Sequence, residues 1–227
     1  MLPPHSLNPM ANTFPRWTNT LPLKLLVALV FIGGGVGLAM NYYFTPKYTR
    51  VGYQPNQPIP FSHVIHAGQV GLDCRYCHSF VEQSGVANVP TSNTCFNCHQ
   101  HVKTNSPEIA KIKESVDTGK ALEWVKVHKT PDYAYFNHSI HVTSGVGCVS
   151  CHGKVNEMPV VFHDQSQSMD WCLTCHRNPE QFLRPMDKIT NLNWTAEDAG
   201  KDQTEMGRKL KEAWNIHPPD NCAACHR

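Results

Sequence analysis

Five copies of the pentapeptide Cys-x-x-Cys-His restrict what this chain can fold into more than any other feature of its sequence. Their residues are Cys74, Cys77 and His78; Cys95, Cys98 and His99; Cys148, Cys151 and His152; Cys172, Cys175 and His176; and Cys222, Cys225 and His226. Two thiols at this spacing can add to the two vinyl groups of one haem, and the imidazole that follows them can ligate the iron. The sequence therefore predicts five covalently bound haem c groups, with the ten Cys as attachment points and the five motif His as proximal iron ligands.

Zinc is the main alternative, because paired Cys-x-x-Cys knuckles also build tetrahedral sites with four Cys ligands. Five knuckles cannot pair evenly. His accounts for 14 of the 227 residues, so its accidental presence after all five Cys pairs has odds on the order of 10⁻⁶, and this terminal His is the mark of haem attachment. All 10 Cys of the chain lie inside the motifs, which leaves none for separate disulfides. The motifs therefore favour haem c over zinc and over disulfides.

The composition indicates a protein with little conventional core. Aromatic residues make up 9% of the chain, which also contains 17 Pro and 14 Gly. We expect contacts between haems and side chains to form most of the core. The haems would stabilise the chain in the way that disulfides or metals stabilise small folds. The net charge of +2 gives no indication of a nucleic-acid partner. No convincing run of alternating strand residues is present, so we predict a mainly helical and irregular fold.

Residues 23–44 predict one transmembrane helix. Lys24 is the only charged residue in this stretch, and at about 1.5 Å per residue the helix would reach roughly 33 Å, enough for a hydrocarbon core of about 30 Å. Trp17 before this stretch and Tyr42, Tyr43 and Phe44 at its end are aromatic residues suited to the membrane interface. The spacing Gly33-x-x-x-Gly37 would let another helix approach closely, although such a spacing is weak by itself.

A cleaved secretory signal is the alternative for this apolar segment. The length of the segment and the extended region before it favour an uncleaved anchor. Basic residues on the two sides, Arg16 and Lys24 against Lys47 and Arg50, do not decide the orientation. Because the motifs imply c-type haem, which is attached outside the cytoplasm, we expect residues 1–22 in the cytoplasm and the haem domain in the periplasm. The expected location is the cytoplasmic (inner) membrane of a bacterium.

An internal repeat divides the remainder of the chain. The hexapeptide Phe61-Ser62-His63-Val64-Ile65-His66 precedes the first motif, and Phe136-Asn137-His138-Ser139-Ile140-His141 precedes the third. Each copy is followed by a second motif, so two related haem modules are expected. We predict a linker at 45–60, a dihaem module at 61–135 and a trihaem module at 136–227.

Two further helices are predicted in the haem domain. Residues 105–128 begin with Ser106 as N-cap and Pro107 at the first helical position, and Gly119 is expected to break the helix before a second helical turn reaches His128. Residues 195–215 show a capping-box pattern at Thr195 and an apolar stripe of Met206, Leu210 and Trp214. We interpret that stripe as core packing.

Enough His remains outside the motifs to supply a second axial ligand to every iron. Those residues are His5, His63, His66, His101, His128, His138, His141, His163 and His217. His5 precedes the membrane span. The region between the first and second motifs has no His or Met, so the second haem must borrow a distal ligand, for which we favour His128. For the fourth haem His163, Met158 and Met169 are rivals, while His101 and His217 are expected to be solvated or hydrogen-bonded.

The two Phe-x-His-x-x-His segments resemble those of cytochromes c3 and c7. This resemblance implies c3/c7-like haem modules, with His63 capping the first haem, His138 the third, and His66 and His141 two others. With His128 the distal set is complete, and an iron with two axial ligands can only pass electrons. No Ser-His-Asp set, phosphate loop or carboxylate pair competes. We therefore expect an electron wire that is not catalytic alone.

Three longer segments, 61–78, 124–141 and 168–177, together with the N-terminal span, resemble the pentahaem membrane-anchored cytochrome c subunit of bacterial alternative complex III. This resemblance implies a quinol:electron-acceptor oxidoreductase in which an iron–sulfur protein, quinol-binding membrane subunits and a monohaem cytochrome c surround this subunit. Electrons would pass toward a periplasmic cytochrome c or copper protein. The alternatives are a stand-alone membrane multihaem quinol dehydrogenase that feeds periplasmic reductases, and a catalytic multihaem reductase.

The expected topology can be tested with protease added to intact spheroplasts. The enzyme should remove the haem domain, because that domain is expected outside the cytoplasm, and should leave the segment before the helix in place. Protection of the haem domain until the membrane is permeabilised would contradict the orientation.

Overall fold

The computed structural model describes residues 15–44 and 50–226, and the side chain of Phe44 lies outside the described part. His5, Lys47 and most of the predicted N-terminal segment also lie outside it. The chain divides into two units, Met1–Tyr48 and Thr49–Arg227. We describe each by itself.

The N-terminal unit contains one long helix, α1, at Leu21–Phe44, which follows a 3₁₀ turn at Arg16–Thr20. The predicted helix at 23–44 is thus present and begins two residues earlier. The most apolar 18-residue window within Arg16–Tyr43 has a mean hydropathy of 2.2, and none of that window is buried. Its length and composition make α1 a candidate membrane span.

The C-terminal unit is made of short helices joined by irregular segments. The helices are α2 (Cys74–Cys77), α3 (Ser92–His99), α4 (Pro107–Thr118), α5 (His138–Thr143), α6 (Val149–His152), α7 (Met169–Arg177), α8 (Gln203–Ala213) and α9 (Cys222–Cys225), with a π-helical turn at Val64–Gln69. Residues 15–44 and 50–226 contain no strand, only the isolated bridges Ala134–His226 and Val146–Leu183. The predicted mainly helical and irregular fold class is confirmed.

Each Cys-x-x-Cys-His motif coincides with a short helix, because i and i+3 side chains of a helix lie on the same face. Polar residues cap several of these helices. The Asp73 carboxylate accepts from the Arg75 N–H ahead of α2, and the Ser168 hydroxyl accepts from the Trp171 N–H at α7. At α9 the Asn221 side chain accepts from the Ala224 N–H. Such caps satisfy backbone donors that a single helical turn leaves unpaired.

The predicted start and end of α4 are confirmed, with Pro107 at its first position and Gly119 in the left-handed region at φ +71°. The predicted second helical turn toward His128 is wrong, because residues 119–131 are not helical. The reason is a tertiary contact. The Gln57 amide accepts from the Val125 N–H at 2.9 Å and donates to the Val125 carbonyl at 2.8 Å, which holds the segment extended.

The predicted helix at 195–215 is shortened to α8. Thr195 does accept from the Asp198 N–H at 3.1 Å, as its capping pattern predicts. That bond closes only a turn, since Gly200 follows at φ +67° and reverses the chain. A new N-cap, Asp202, accepts from the Glu205 N–H at 2.7 Å and starts α8. Met206 is buried, which agrees with the prediction of a core stripe.

A small apolar cluster supports the second motif. Ile59, Ile109 and Ile112 form its buried centre, and Cys95, Phe96, Leu122 and Trp124 pack against it. The Ser92 and Ser115 hydroxyls, 2.6 Å apart, join the start of α3 to α4. α4 thus fixes the helix that carries Cys95 and His99.

Truncation of this cluster should destabilise the haem-loaded protein. Ile112 is only 5% exposed, so Ile112→Ala should lower the free energy of unfolding by about 2–4 kcal/mol through lost burial and a residual cavity. The matched control is Glu114→Ala, an exposed position of the same helix, which should change it by less than about 0.5 kcal/mol. Denaturant unfolding followed by circular dichroism measures both. Equal effects would contradict the importance of this cluster.

Candidate haem-binding sites

Four of the five motif His side chains are oriented by hydrogen bonds from their Nδ1 atoms to backbone carbonyls. These bonds are His78 to Asn88 (2.7 Å), His99 to Val102 (3.0 Å), His176 to Pro219 (2.5 Å) and His226 to Tyr133 (3.2 Å). An imidazole that donates through Nδ1 carries its free lone pair on Nε2. Metal-ligating His residues have this tautomer, with Nδ1–H hydrogen-bonded to a carbonyl or carboxylate.

Three pairs of His rings face each other at a common separation. The ring centres of His66 and His99 are 6.1 Å apart, those of His141 and His176 are 6.1 Å apart, and those of His138 and His152 are 6.3 Å apart. An imidazole nitrogen lies about 2 Å from a bound metal, so two rings on opposite sides of one iron have centres roughly 6 Å apart. These pairs therefore fit a haem iron with two axial imidazoles.

The distal members of these pairs are held by the repeated hexapeptide itself. His66 Nδ1 lies 2.9 Å from the Ser62 carbonyl, and His141 Nδ1 lies 2.7 Å from the Asn137 carbonyl. The Phe at the head of each hexapeptide stacks on the second His, with ring centres 4.4 Å apart in the first copy and 4.6 Å in the second. The hydrogen bond and the stacking fix the plane of each ring.

His63 is the counterpart of His138 in the first repeat. Its Nδ1 is buried and has no hydrogen-bond partner. Burial, followed by the nearby His78 and His66 rings, lowers the pKa of His63 to about 4. The ring is therefore neutral at pH 7 and near the His78 ring, which is compatible with the predicted pairing of His63 with the first motif.

His128 lies at the third motif, away from the second motif to which we assigned it. Its ring centre is 4.4 Å from that of His152, at an interplanar angle of 80°, and 5.3 Å from that of His163. The second motif has His66 opposite it. His163, a predicted rival for the fourth haem, is fully buried, and Nε2 of His128 is buried without a hydrogen-bond partner.

Buried polar atoms without a partner are uncommon in proteins, and they fit a site that binds a further group. Burial, and then His128 and His138, lowers the pKa of His152 to about 3. Three further imidazoles, those of His128, His138 and His163, therefore lie around His152. A haem iron has only one axial position besides that of its proximal ligand, so it can bind only one of them.

The remaining candidates differ in their exposure and in their neighbours. Met158 is 6% exposed and lines a cavity of about 520 Å³ next to Val149 and Gly153 of the third motif region, whereas Met169 is 66% exposed. His101 is exposed. His217 places Nε2 3.0 Å from the Asn215 side-chain oxygen, in agreement with a hydrogen-bonded His. It also lines a cavity of about 200 Å³ with His141, Cys175 and His176.

The ring beside His226 of the fifth motif belongs to Tyr133, at 5.7 Å between ring centres. The Tyr135 N–H donates to the Cys225 carbonyl at 2.8 Å, which ties α9 to the segment ahead of α5.

Thiols of different motifs lie close together. Hydrogen bonding between the Cys74 and Cys148 side chains lowers the pKa of Cys74 to about 7 and raises that of Cys148. Burial and then the neighbouring Cys95 raise the pKa of Cys77, and burial and then Cys225 raise that of Cys172. The motifs are therefore packed against one another and not spread over the unit.

Comparison with known proteins agrees with this geometry. Residues 134–227 match the family model described as cytochrome c7 and related cytochrome c. This stretch is similar to c7-type multihaem cytochromes, whose covalently bound cofactor is haem c. Of the facing imidazole pairs, His138–His152 and His141–His176 lie within the match and fit such a cofactor.

A relative of similar length is also found. The chain is 28% identical over 199 residues to the menaquinone reductase, multihaem cytochrome c subunit of Nitratidesulfovibrio vulgaris (strain Hildenborough), across 87% of this chain and 88% of that protein. The relationship supports the broader prediction of a multihaem cytochrome. The narrower resemblance to alternative complex III stays a prediction.

The pairing of His66 with the second motif can be tested by substitution. His66→Ala should convert one haem from low spin to high spin, because it removes the ring opposite His99. His101→Ala, at an exposed His close in sequence to the same motif, is the control and should leave the optical and EPR spectra unchanged. If His128→Ala and not His66→Ala produced the high-spin haem of the second motif, the pairing would be wrong.

Proposed function

We propose that this chain is the electron-transfer subunit of a membrane quinone-linked oxidoreductase, with five haem c groups on its extracytoplasmic side. The observation that carries this proposal is the set of three facing imidazole pairs with ring centres 6.1–6.3 Å apart. At these three sites, haem c between two axial imidazoles would supply a one-electron carrier without an open coordination position. Such a chain moves electrons and leaves bond chemistry to its partners.

In this proposal the ten motif Cys hold the haems, and the five motif His are the proximal ligands. The distal ligands are His63 for the first site, His66 for the second, His138 for the third and His141 for the fourth. His128, the remaining member of the predicted distal set, lies with His163 beside the third site, where it competes with His138. The repeat supports the proposed division into a dihaem module at 61–135 and a trihaem module at 136–227.

The protein environment keeps the proposed ligands ready to bind. Burial lowers the pKa of His63 and of His128 to about 4, so both imidazoles are neutral at pH 7 and retain the lone pair that a metal needs. The Nδ1 hydrogen bonds of His66 and His141 hold each ring in place and increase its basicity as a ligand. Neither feature provides a general acid or base for catalysis.

The chain itself is not expected to oxidise quinol. One helix cannot enclose a quinol cavity, and the only charged residue within α1 is Lys24, near its first turn. Proton-coupled chemistry inside a membrane normally uses buried ionisable groups. We therefore propose that separate membrane subunits carry the quinone chemistry and that α1 anchors this chain in the inner membrane beside them.

The proposed direction is from quinol, by way of an iron–sulfur protein subunit, to a monohaem cytochrome c or copper-protein acceptor in the periplasm. The resemblance to the pentahaem subunit of alternative complex III supports this direction. The reverse direction is the second candidate, because the relative from N. vulgaris is named a menaquinone reductase subunit. In that case a periplasmic donor would reduce the chain, and the complex would reduce quinone.

Reduction experiments on the purified full chain and on the intact complex test this division of labour. The isolated chain, first shown to contain five haems by a pyridine haemochrome assay, should be reduced by dithionite and reoxidised by a soluble redox partner, but quinol should not reduce it. In the intact complex quinol should reduce it. Quinol oxidation by the isolated chain would refute the proposal, and reduction of the complex only by a periplasmic donor would favour the reverse direction.

A further inference from the structure

The first and second sites share one helical turn. His63 directly precedes the π-helical turn Val64–Gln69, which contains His66. Side chains three positions apart on a helix are neighbours, with Cβ atoms about 5–6 Å apart. Phe61 contacts both rings, at 4.8 Å from His63 and 4.4 Å from His66 between ring centres. Because His66 faces His99, the second site must lie directly beside the first.

The third and fourth sites are linked in the same way. His138 and His141 both lie on α5, and they face His152 and His176 respectively. The fifth site continues from the fourth, since His176 Nδ1 lies 2.5 Å from the Pro219 carbonyl, three residues ahead of Cys222.

One loop joins the first motif to the third. Cys148 donates its N–H to the Ile189 carbonyl at 3.1 Å. The next residue, Thr190, has its carbonyl 3.9 Å from the Cys74 Sγ, and its hydroxyl donates to Asp73 at 2.8 Å. Two consecutive residues therefore hold an attachment Cys of the first site and one of the third site.

The start of α5 is also hydrogen-bonded to the segment that follows the first motif. The His138 N–H donates to the Gly85 carbonyl at 3.0 Å, and the Ser139 N–H donates to the Ser84 carbonyl at 3.1 Å. His138 Nδ1 lies 3.3 Å from the Val81 carbonyl. The distal ligand proposed for the third site is thus anchored to the segment after the first motif.

The alternative junction would place the second site against the third, as the order of motifs in the sequence suggests. The π-helical turn does approach the segment after the third motif, where a Cβ on Gly68 would lie 2.7 Å from the Asn156 carbonyl. That approach is made by backbone. The His66 ring faces His99. The contacts that hold the proposed ligand His138 and the attachment residue Cys148 link instead to the first motif and the segment after it.

We propose that the five sites form one row in the order second, first, third, fourth, fifth, so that electrons cross between the modules from the first site to the third and the second site is an end of the row. This proposal rests on the proposed function, because it requires a haem at each of the five motifs. The fifth site is the opposite end. The two ends are the places where redox partners would exchange electrons with the chain.

A matched pair of substitutions in the full-length protein tests this order. His63→Met marks the first site and His66→Met marks the second, because an axial Met raises the reduction potential of its haem. Ferric haems on neighbouring sites broaden each other's EPR signals, and reduction of the marked haem removes this effect from its direct neighbours only. At a potential that reduces only the marked haem, His63→Met should change the signals of two other haems, and His66→Met should change one.

The reverse pattern, one haem for His63→Met and two for His66→Met, would overturn the order and leave the electron-transfer function standing. If neither substitution raised the potential of any haem, the ligand pairs would be wrong and both proposals would fall. Should a variant fail to assemble, anomalous scattering can locate the five irons in the native full-length protein. The iron bound to His78 must then lie nearer to the iron bound to His152 than the iron bound to His99 does.

Discussion

Two imidazole rings that face each other with centres about 6 Å apart are the arrangement on which the rest of the C-terminal unit depends. Such a pair requires the rings to come from distant parts of the chain and to present Nε2 toward each other. In the His66–His99 and His141–His176 pairs, hydrogen bonds from Nδ1 to backbone carbonyls achieve this, since each one fixes the tautomer and the direction of the ring. Many irregular segments of the unit supply those carbonyls, which explains how so little regular structure can hold these pairs in place.

The apolar core without the cofactors is correspondingly small. Among the described residues, its defined cluster centres on Ile59, Ile109 and Ile112, beside the second motif. Large apolar side chains near the other motifs are exposed, such as Phe80 at 53% and Ile140 at 58%. Covalent cofactors can serve such a chain in the way that disulfides or metals serve small domains. Folding and cofactor attachment should therefore be coupled, as they are in small metal-dependent folds.

The parts of this arrangement that depend on local sequence could be predicted, and the parts that depend on tertiary contacts could not. α1 and the limits of α4 follow from hydropathy and capping residues. The position of His128 does not, because Gln57, far away in the sequence, pairs with Val125 and holds that segment extended. The repeat did contain the signal for His66, since His66 and His141 occupy equivalent places and residues 79–94, between the first and second motifs, contain no His. No feature of the sequence predicts that His128 and His163 lie close to His152.

The link between the two modules differs mechanically from the links inside them. The first and second sites share one helical turn, and the third and fourth sites share α5, so the separation within each of these pairs changes only if that helix unwinds. Between the modules, the separation depends on hydrogen bonds between separate segments, since the loop at Ile189 and Thr190 binds Cys148 and Asp73 and the start of α5 binds the segment after the first motif. A displacement of these contacts would lengthen the step from the first site to the third while each module stayed folded. The chain would then behave as two rigid conductors joined by one compliant contact.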